Sequence, residues 1–149
     1  MCGIVGGVAE RSITTILIEG LKRLEDRGYD SEGLALVNQG QVLRERRVGK
    51  VSNLEEAVNQ SNFLGSLGIA HTRWATHGVP NDVNAHPHYS NSGNLVIIHN
   101  GIIENYGSIK KALEKRGYTF QSDTDTEVLV NLIEDIKQNE NVKLGKAVQ

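Results

Sequence analysis

Apolar residues along the chain recur with two different periods, which predict a mixture of strands and helices. An apolar run at residues 2–8 predicts a buried strand. Residues 34–37 and 41–47 alternate in character and flank Asn38-Gln39-Gly40, so they predict a β-hairpin. Residues 67–71 and 95–99 predict two further short strands.

Four other segments place apolar residues three and four positions apart, as amphipathic helices do. One of them lies around Ile109 and Leu113 and is predicted to end near residue 116. The starts of the other three are predicted at helix-capping patterns, namely Ser12, the pair Ser52 and Glu55, and the pair Thr124 and Glu127. Paired strands early and single strands later, mixed with helices, predict an α+β layered domain.

The length of 149 residues fits one domain, which we assign to residues 1–149. The residues after 140 resemble the start of an element without its remainder, so the fold is expected to be incomplete at its C-terminus. A sandwich that lacks strands would expose apolar faces and sheet edges.

Composition excludes several function classes. Charged residues make up 23% of the chain and the formal net charge is -2, which gives no basic footprint for nucleic acid. No apolar stretch approaches the ~18 residues of a membrane span, and residues 3–9 are too short for a signal-peptide core. The single cysteine cannot form an internal disulfide, so a cytoplasmic location is expected.

That cysteine is Cys2, which becomes the first residue if Met1 is removed. A free α-amine has a pKa of about 7.7–8.0, so near neutral pH it can accept a proton from the thiol of the same residue. Nucleophile and base would then come from one residue. A cysteine at the start of a strand is more often a small packing residue, so the catalytic interpretation requires partners elsewhere in the chain.

Further motifs follow Cys2 in sequence order. A loop of about twenty residues, 72–93, carries both prolines and three of the five histidines, and long loops of this kind are usually functional or disordered. The complete set is Cys2-Gly3-Ile4-Val5-Gly6, Arg27-Gly28-Tyr29-Asp30-Ser31, His71-Thr72-Arg73-Trp74-Ala75-Thr76-His77-Gly78, Asn84-Ala85-His86-Pro87-His88, His99-Asn100-Gly101-Ile102-Ile103-Glu104-Asn105 and Thr124-Asp125-Thr126-Glu127.

Together these motifs resemble the N-terminal glutaminase domain of the glutamine–fructose-6-phosphate aminotransferases, a family of class II glutamine amidotransferases. The resemblance runs from the first residue to about Glu134. It implies an N-terminal-nucleophile hydrolase fold, a four-layer αββα sandwich. It also implies hydrolysis of the L-glutamine side-chain amide to glutamate and ammonia, without a cofactor.

The resemblance implies three catalytic residues. Cys2 would attack the carboxamide, and its own amine would carry the proton to the departing ammonia. Asn100, through its side-chain amide, and Gly101, through its backbone N–H, would donate hydrogen bonds to the developing oxyanion. Read without the resemblance, Asn100-Gly101 is a tight turn after a strand, and the two interpretations are compatible.

The resemblance also implies residues that bind the substrate. Arg73 would bind the α-carboxylate of glutamine with two parallel hydrogen bonds, and Asp125 would balance the α-ammonium. Trp74, Thr76 and His77 lie on a segment that resembles a loop closing over glutamine. On residue type alone, Arg73 would be a surface ion-pair partner, Asp125 a favourable charge at a helix start and Trp74 a packing residue.

Supporting roles are implied for Arg27, which would hold the terminus and the oxyanion region, and for His86. The remaining partner, fructose 6-phosphate, would be met only through a sugar isomerase domain that is absent from this sequence. The full-length enzyme would make glucosamine 6-phosphate and is expected to be a homo-oligomer.

Two alternatives remain open from the residues. One is a metal site, because His71, His77, His86, His88 and His99 lie within thirty residues. The absence of a His-Glu-x-x-His helix and the near absence of acidic residues among them disfavour it. The other is a glutamine-binding module without turnover.

Overall fold

The computed structural model describes residues 2–27, 30–74 and 79–149, with Arg27 described in its backbone only. A four-stranded antiparallel sheet forms its centre, with the strand order β1-β4-β2-β3. A second sheet pairs two short strands, β5 and β6. The strands are β1 (Gly3–Val8), β2 (Ser31–Asn38), β3 (Gln41–Val48), β4 (Leu67–Arg73), β5 (His88–Tyr89) and β6 (Val96–Ile97).

Helices cover both sides of the paired sheets. The helices are α1 (Thr14–Leu24), α2 (Val51–Asn59), α3 (Tyr106–Lys115), α4 (Asp125–Asn139) and α5 (Leu144–Val148), and a short 3₁₀ turn, Glu25–Arg27, follows α1. α1 and α2 pack on the main sheet, whereas α4 packs on β5 and β6 and also packs against α3. The layers therefore run helix, sheet, sheet, helix, and the predicted α+β class with the αββα sandwich of N-terminal-nucleophile hydrolases is confirmed.

The hydrophobic core lies between the main sheet and α1 with α2. Leu34 and Leu36 of β2 face these helices, since side chains two apart on a strand share one face. They meet apolar residues repeated at helical spacing, such as Leu17 and Leu21 of α1. Burial of these side chains gives the sheet a fixed register against the helices.

The predicted hairpin is confirmed. β2 and β3 pair from Ser31 with Val48 to Asn38 with Gln41, so a two-residue turn joins them. Gln39 and Gly40 both have positive φ, at 50° and 76°, as a turn matched to the right-handed twist of the strands requires.

The helices form, but the predicted caps Ser12 and Ser52 are wrong, whereas Thr124 is confirmed as the N-cap residue of α4. No cap residue of α1, α2 or α4 makes a side-chain cap hydrogen bond, and Ser52 lies inside α2. Thr124 Oγ1 instead contacts Ser122 and His88, and the Glu127 carboxylate accepts hydrogen bonds from the backbone before the helix. Tertiary contacts have therefore taken the groups that a local cap would use.

Two strand predictions also need correction. β1 is an edge strand and not a buried one, so its outward side chains are uncovered; Val8 is 78% exposed. The strand predicted at 95–99 contributes only Val96–Ile97 to a ladder. Within the parts of the chain that are described, no helix is both long and apolar enough to cross a membrane.

On the second face of the main sheet, polar side chains of β3 hold residues 83–87 of the loop that follows β4. Arg46 of β3 donates to the carbonyl oxygens of Val83 and Ala85 at 2.9 and 2.8 Å. Gly33 of β2 lets this loop approach, because a Cβ added there would lie 1.9 Å from the carbonyl oxygen of His86. These contacts fix residues 83–86 of the predicted long loop against the sheet.

Candidate active site

A cleft of about 490 Å³ opens where the start of β1 meets the end of β4. Five parts of the chain line it: the chain start at Cys2, the end of β4 with Trp74, the residue His86, the segment 99–102 and the start of α4 at residues 124–126. Residues separated by more than a hundred positions in sequence therefore share one cavity.

Cys2 is held at this cleft by the pairing of β1 with β4. Gly3 lies opposite Thr72, and its N–H donates to Thr72 Oγ1 at 2.9 Å. The sulfur of Cys2 accepts from the backbone N–H of Trp74 at 3.1 Å. A Cβ at Gly3 would come within 2.9 Å of the side chains of Leu24 and Thr72, so only glycine permits this close approach.

The segment carrying Asn100 and Gly101 lies beside Cys2. The side-chain amide nitrogen of Asn100 donates to the carbonyl oxygen of Cys2 at 3.3 Å, and its Oδ1 lies 2.7 Å from His71 Nε2. A Cβ on Gly101 would lie 2.8 Å from His99 Nε2, so the ring of His99 requires glycine at this position. The two expected oxyanion donors thus border the same cavity as the thiol.

Arg73 and Asp125 supply opposite charges to the cleft wall, and both are buried. Burial lowers the pKa of the Arg73 guanidinium, and the nearby Cys2, Asp30 and Asp125 oppose that effect. Asp125 is the first residue of α4, and its Oδ2 accepts from the backbone N–H of Ile103 at 2.7 Å. It therefore both favours the helix start and holds the segment that follows Gly101.

The other predicted site residues fall in different places. Trp74 is 53% exposed at the rim of the cleft. Thr76 and His77 lie outside the described residues, as does the side chain of Arg27. His86 lines the cleft and is buried, and its ring stacks on that of His71 with 4.3 Å between the ring centroids.

The histidines form a packed series. His88 meets His86 edge to face at 4.7 Å, and its Nε2 lies 3.0 Å from Thr124 Oγ1. Burial lowers the pKa of His71 to about 4 and also lowers the pKa values of His86 and His88, so all three rings are neutral near pH 7. Over the residues with described positions, no group of three or more His, Cys, Asp or Glu side chains is arranged to hold a metal ion.

Sequence reasoning missed the contact of His71 with Asn100, because it considered His71 only as a metal ligand. The signal was present, because strand alternation places His71 and Arg73 on the same face of β4. The contact between His71 and Asn100 spans 29 residues, so only the fold could reveal it.

A cysteine at the head of an edge strand, an amide pair beside it and the αββα layers define an N-terminal-nucleophile hydrolase. A family model described as "glutamine amidotransferase domain" matches residues 58–144, which is more than half of the chain. The chain belongs to this glutamine amidotransferase family.

Curated relatives share much of this sequence. The chain is 70% identical over 133 residues to a glutamine–fructose-6-phosphate aminotransferase (isomerizing) of Acinetobacter baylyi, a match covering 89% of this chain and 21% of that protein. It is 59% identical over 150 residues to the enzyme of that name from Bacteroides thetaiotaomicron, covering 100% and 24%. The chain thus spans between a fifth and a quarter of the length of these relatives.

Two solved structures share the fold over 99% of this chain and 31% of their own length. One is a glutamine phosphoribosylpyrophosphate amidotransferase from B. subtilis complexed with ADP and GMP, with a TM-score of 0.76 and 28% identity. The other is described as the allosteric regulatory enzyme of purine biosynthesis, with a TM-score of 0.77 and 28% identity.

Proposed function

We propose that this domain hydrolyses the side-chain amide of L-glutamine to glutamate and ammonia, with Cys2 as the nucleophile. The observation that carries the proposal is the cleft shared by the sulfur of Cys2, the side-chain amide of Asn100 and Gly101. The membership of the chain in the glutamine amidotransferase family supports the same substrate.

Removal of Met1 frees the α-amine of Cys2, which takes the proton of the thiol. The thiolate then attacks the carboxamide carbon of glutamine and forms a carbon–sulfur bond. The ammonium of Cys2 returns the proton to the amide nitrogen, the carbon–nitrogen bond breaks and ammonia leaves. Water attacks the resulting thioester, which releases glutamate and restores the thiol.

Asn100 and Gly101 stabilise the charge that develops on the carboxamide oxygen. The Asn100 amide nitrogen already lies on the Cys2 side of its side chain, at 3.3 Å from the Cys2 carbonyl oxygen. Donors held in place before the reaction need no reorganisation, and one such donor is worth about 10²–10³ in kcat.

Arg73 and Asp125 bind the two charged ends of free glutamine. A buried guanidinium is weakly hydrated and gives a carboxylate two parallel hydrogen bonds. The Asp125 carboxylate, at the cleft wall, attracts the α-ammonium. Because the site binds both charged groups of free glutamine, free glutamine is a better substrate than an N-acetylated or peptide-bound glutamine.

In the longer protein, the ammonia is transferred in the conversion of fructose 6-phosphate to glucosamine 6-phosphate. The names of the curated relatives and their high identity to this chain support that acceptor. A cytoplasmic location and a homo-oligomeric assembly stay predictions.

The decisive experiment compares three preparations, each verified by mass spectrometry: protein with Met1 removed, protein that retains Met1, and Cys2→Ala with Met1 removed. We expect ammonia release only from the first, and calorimetric binding of glutamine by both the first and the third. Turnover by Cys2→Ala would overturn Cys2 as nucleophile. Equal turnover with Met1 retained would overturn the amine as base, and binding without turnover in all three would identify a glutamine-binding module.

Recognition is tested with Arg73→Ala, with Arg11→Ala as a matched control because Arg11 is exposed at the opposite end of β1. Loss of hydrogen bonds to a charged group costs about 1.5–3 kcal/mol, so KM for glutamine should rise about 10-fold to 10²-fold in Arg73→Ala. KM should be unchanged in Arg11→Ala. An equal rise in KM with the α-methyl ester of glutamine, which lacks the carboxylate charge, would contradict a role in carboxylate binding.

A further inference from the structure

The buried ring of His71 contacts Asn100 at the cleft, and the reaction as written above does not use this contact. His71 is 1% exposed, and its Nε2 lies 2.7 Å from Asn100 Oδ1. The other end of the same amide, Nδ2, donates to the carbonyl oxygen of Cys2. The two contacts therefore lie on opposite sides of one amide group and select the same orientation.

The chemistry of the contact fixes where the imidazole proton is. A side-chain carbonyl oxygen only accepts hydrogen bonds, so Nε2 of His71 must carry the hydrogen. Burial lowers the pKa of His71 to about 4, which leaves the ring neutral near pH 7 with a single proton. Nδ1 is then a bare acceptor, and it has no hydrogen-bond partner among the residues whose positions are described.

The opposite orientation of Asn100 is unfavourable. It would turn Oδ1 toward the carbonyl oxygen of Cys2, so that two acceptors would face each other at about the present 3.3 Å. It would also aim an acceptor, in place of a donor, at the charge that develops during attack on an amide. A neutral His71 with its proton on Nε2 prevents this inversion.

The ring of His71 is itself held in place by the ring of His86, which is fixed in turn by its neighbours. His86 stacks on it with an interplanar angle of 20°, and His88 packs against His86 and reaches Thr124. Gly33, opposite His71 in the sheet, lets the backbone of His86 approach. The imidazole therefore has little freedom to turn away from Asn100.

We propose that His71 is a positioning residue for the oxyanion hole: its Nε2–H holds Asn100 Oδ1 and so directs the amide N–H of Asn100 toward the reacting carboxamide. This inference rests on the proposed function for its consequence in turnover. Its structural content, which is the position of one proton and the orientation of one amide, can be measured without turnover.

The first test is long-range ¹H–¹⁵N NMR of the whole chain with labelled histidine, at neutral pH and without substrate. We expect the His71 ring to be neutral, with the hydrogen on Nε2. A ring with the hydrogen on Nδ1, or a doubly protonated ring, would overturn the proposal. This result stands whether or not the protein releases ammonia, so it separates the failure of the positioning role from the failure of the proposed function.

The second test uses the pair His71→Gln and His71→Asn. Both replacements carry an amide, but only the longer one places its nitrogen near the Nε2 position. We expect kcat to fall about 10²-fold in His71→Asn, because the loss cannot exceed what one oxyanion donor contributes to kcat. KM should change less than about threefold. His71→Gln should recover at least about tenfold of that loss. Equal kcat in the two variants would contradict the proposal.

A double-mutant cycle with Asn100→Ala distinguishes positioning from general damage. If His71 acts through Asn100, His71→Asn lowers kcat in the wild type but hardly at all when Asn100 is already alanine. Losses that multiply in the double variant would show that His71 acts by another route. Should His71→Asn fail to fold, the tautomer measurement on the unmodified protein still decides.

Discussion

The two faces of the main sheet differ in what their side chains do. The face toward α1 and α2 carries Leu34 and Leu36, which pack into a continuous apolar cluster. The opposite face carries His71 and Arg73, which reach the candidate active site. Each strand serves both faces, because its side chains alternate.

The difference separates stability from chemistry within one sheet. Apolar burial on the helix face is non-directional, so it tolerates variation as long as volume is kept. The polar face depends on particular hydrogen-bond partners, and each buried polar atom left without one costs free energy. Changes on the first face should therefore act on unfolding, and changes on the second mainly on turnover.

The largest effect is expected from Leu36→Ala on the helix face. Leu36 is fully buried, so its truncation leaves a cavity and should lower the free energy of unfolding by about 2–5 kcal/mol. Below the unfolding transition, kcat should change little. Urea titration gives the stability, with Leu64→Ala as control because Leu64 is exposed. A loss of kcat at full folding would break the separation between the faces.

The sequence predicted the helix face better than the polar face, and the reason is physical. The spacing of apolar residues and the residue types of a turn are local features of the sequence. The hairpin at Gln39-Gly40 and the helices around Leu17 and Leu113 could therefore be predicted from the sequence alone. Thr124 is the N-cap residue of α4, as predicted, but its hydroxyl contacts His88 from 36 residues away and makes no capping hydrogen bond.

The site depended on contacts that the local pattern does not encode. Family resemblance supplied Cys2, Asn100 and Arg73, and the structure gathers them in one cleft. The partner of Asn100 could not be read from the sequence, because strand alternation gives the face of His71 but not what lies opposite it. A buried glycine such as Gly33 likewise reveals its reason only once the His86 backbone is seen above it.

An intermediate effect is expected from Gly33→Ala, which tests whether the polar face is as tightly packed as the core. The new Cβ would lie 1.9 Å from the carbonyl oxygen of His86, so the backbone must shift. Overpacking of this kind costs about 1–3 kcal/mol of stability. Displacement of His86 from His71 should lower kcat as well, measured beside the unfolding free energy.

Gly6→Ala is the matched control, because a Cβ there meets its nearest atom only at 3.8 Å. We expect its stability and kcat to stay near those of the unmodified protein. If Gly33→Ala behaved like Gly6→Ala, the loop that carries His86 would not be fixed by the sheet as described.

The smallest effect per pH unit, a slope and not a step, is expected from Glu32→Gln, which changes a buried carboxyl on the helix face. Glu32 is 0% exposed, and neither carboxylate oxygen has a hydrogen-bond partner within the described part of the chain. Burial, with smaller contributions from Glu25 and Asp30, raises its pKa from 4.5 to about 9. The folded protein therefore retains a proton that the unfolded chain loses in this window.

Retention of a proton in the folded state fixes the sign of the pH dependence. Between about pH 4.5 and pH 9 unfolding releases the proton, so the free energy of unfolding falls as pH rises, by at most about 1.4 kcal/mol per pH unit. Urea titrations across this window should show that fall in the unmodified protein and in Glu10→Gln, whose side chain is exposed, and a flatter dependence in Glu32→Gln. Equal slopes in all three proteins would mean that Glu32 is charged in the folded state. The helix face would then contain a buried carboxylate that no proton neutralises, although burial in apolar surroundings favours the protonated form.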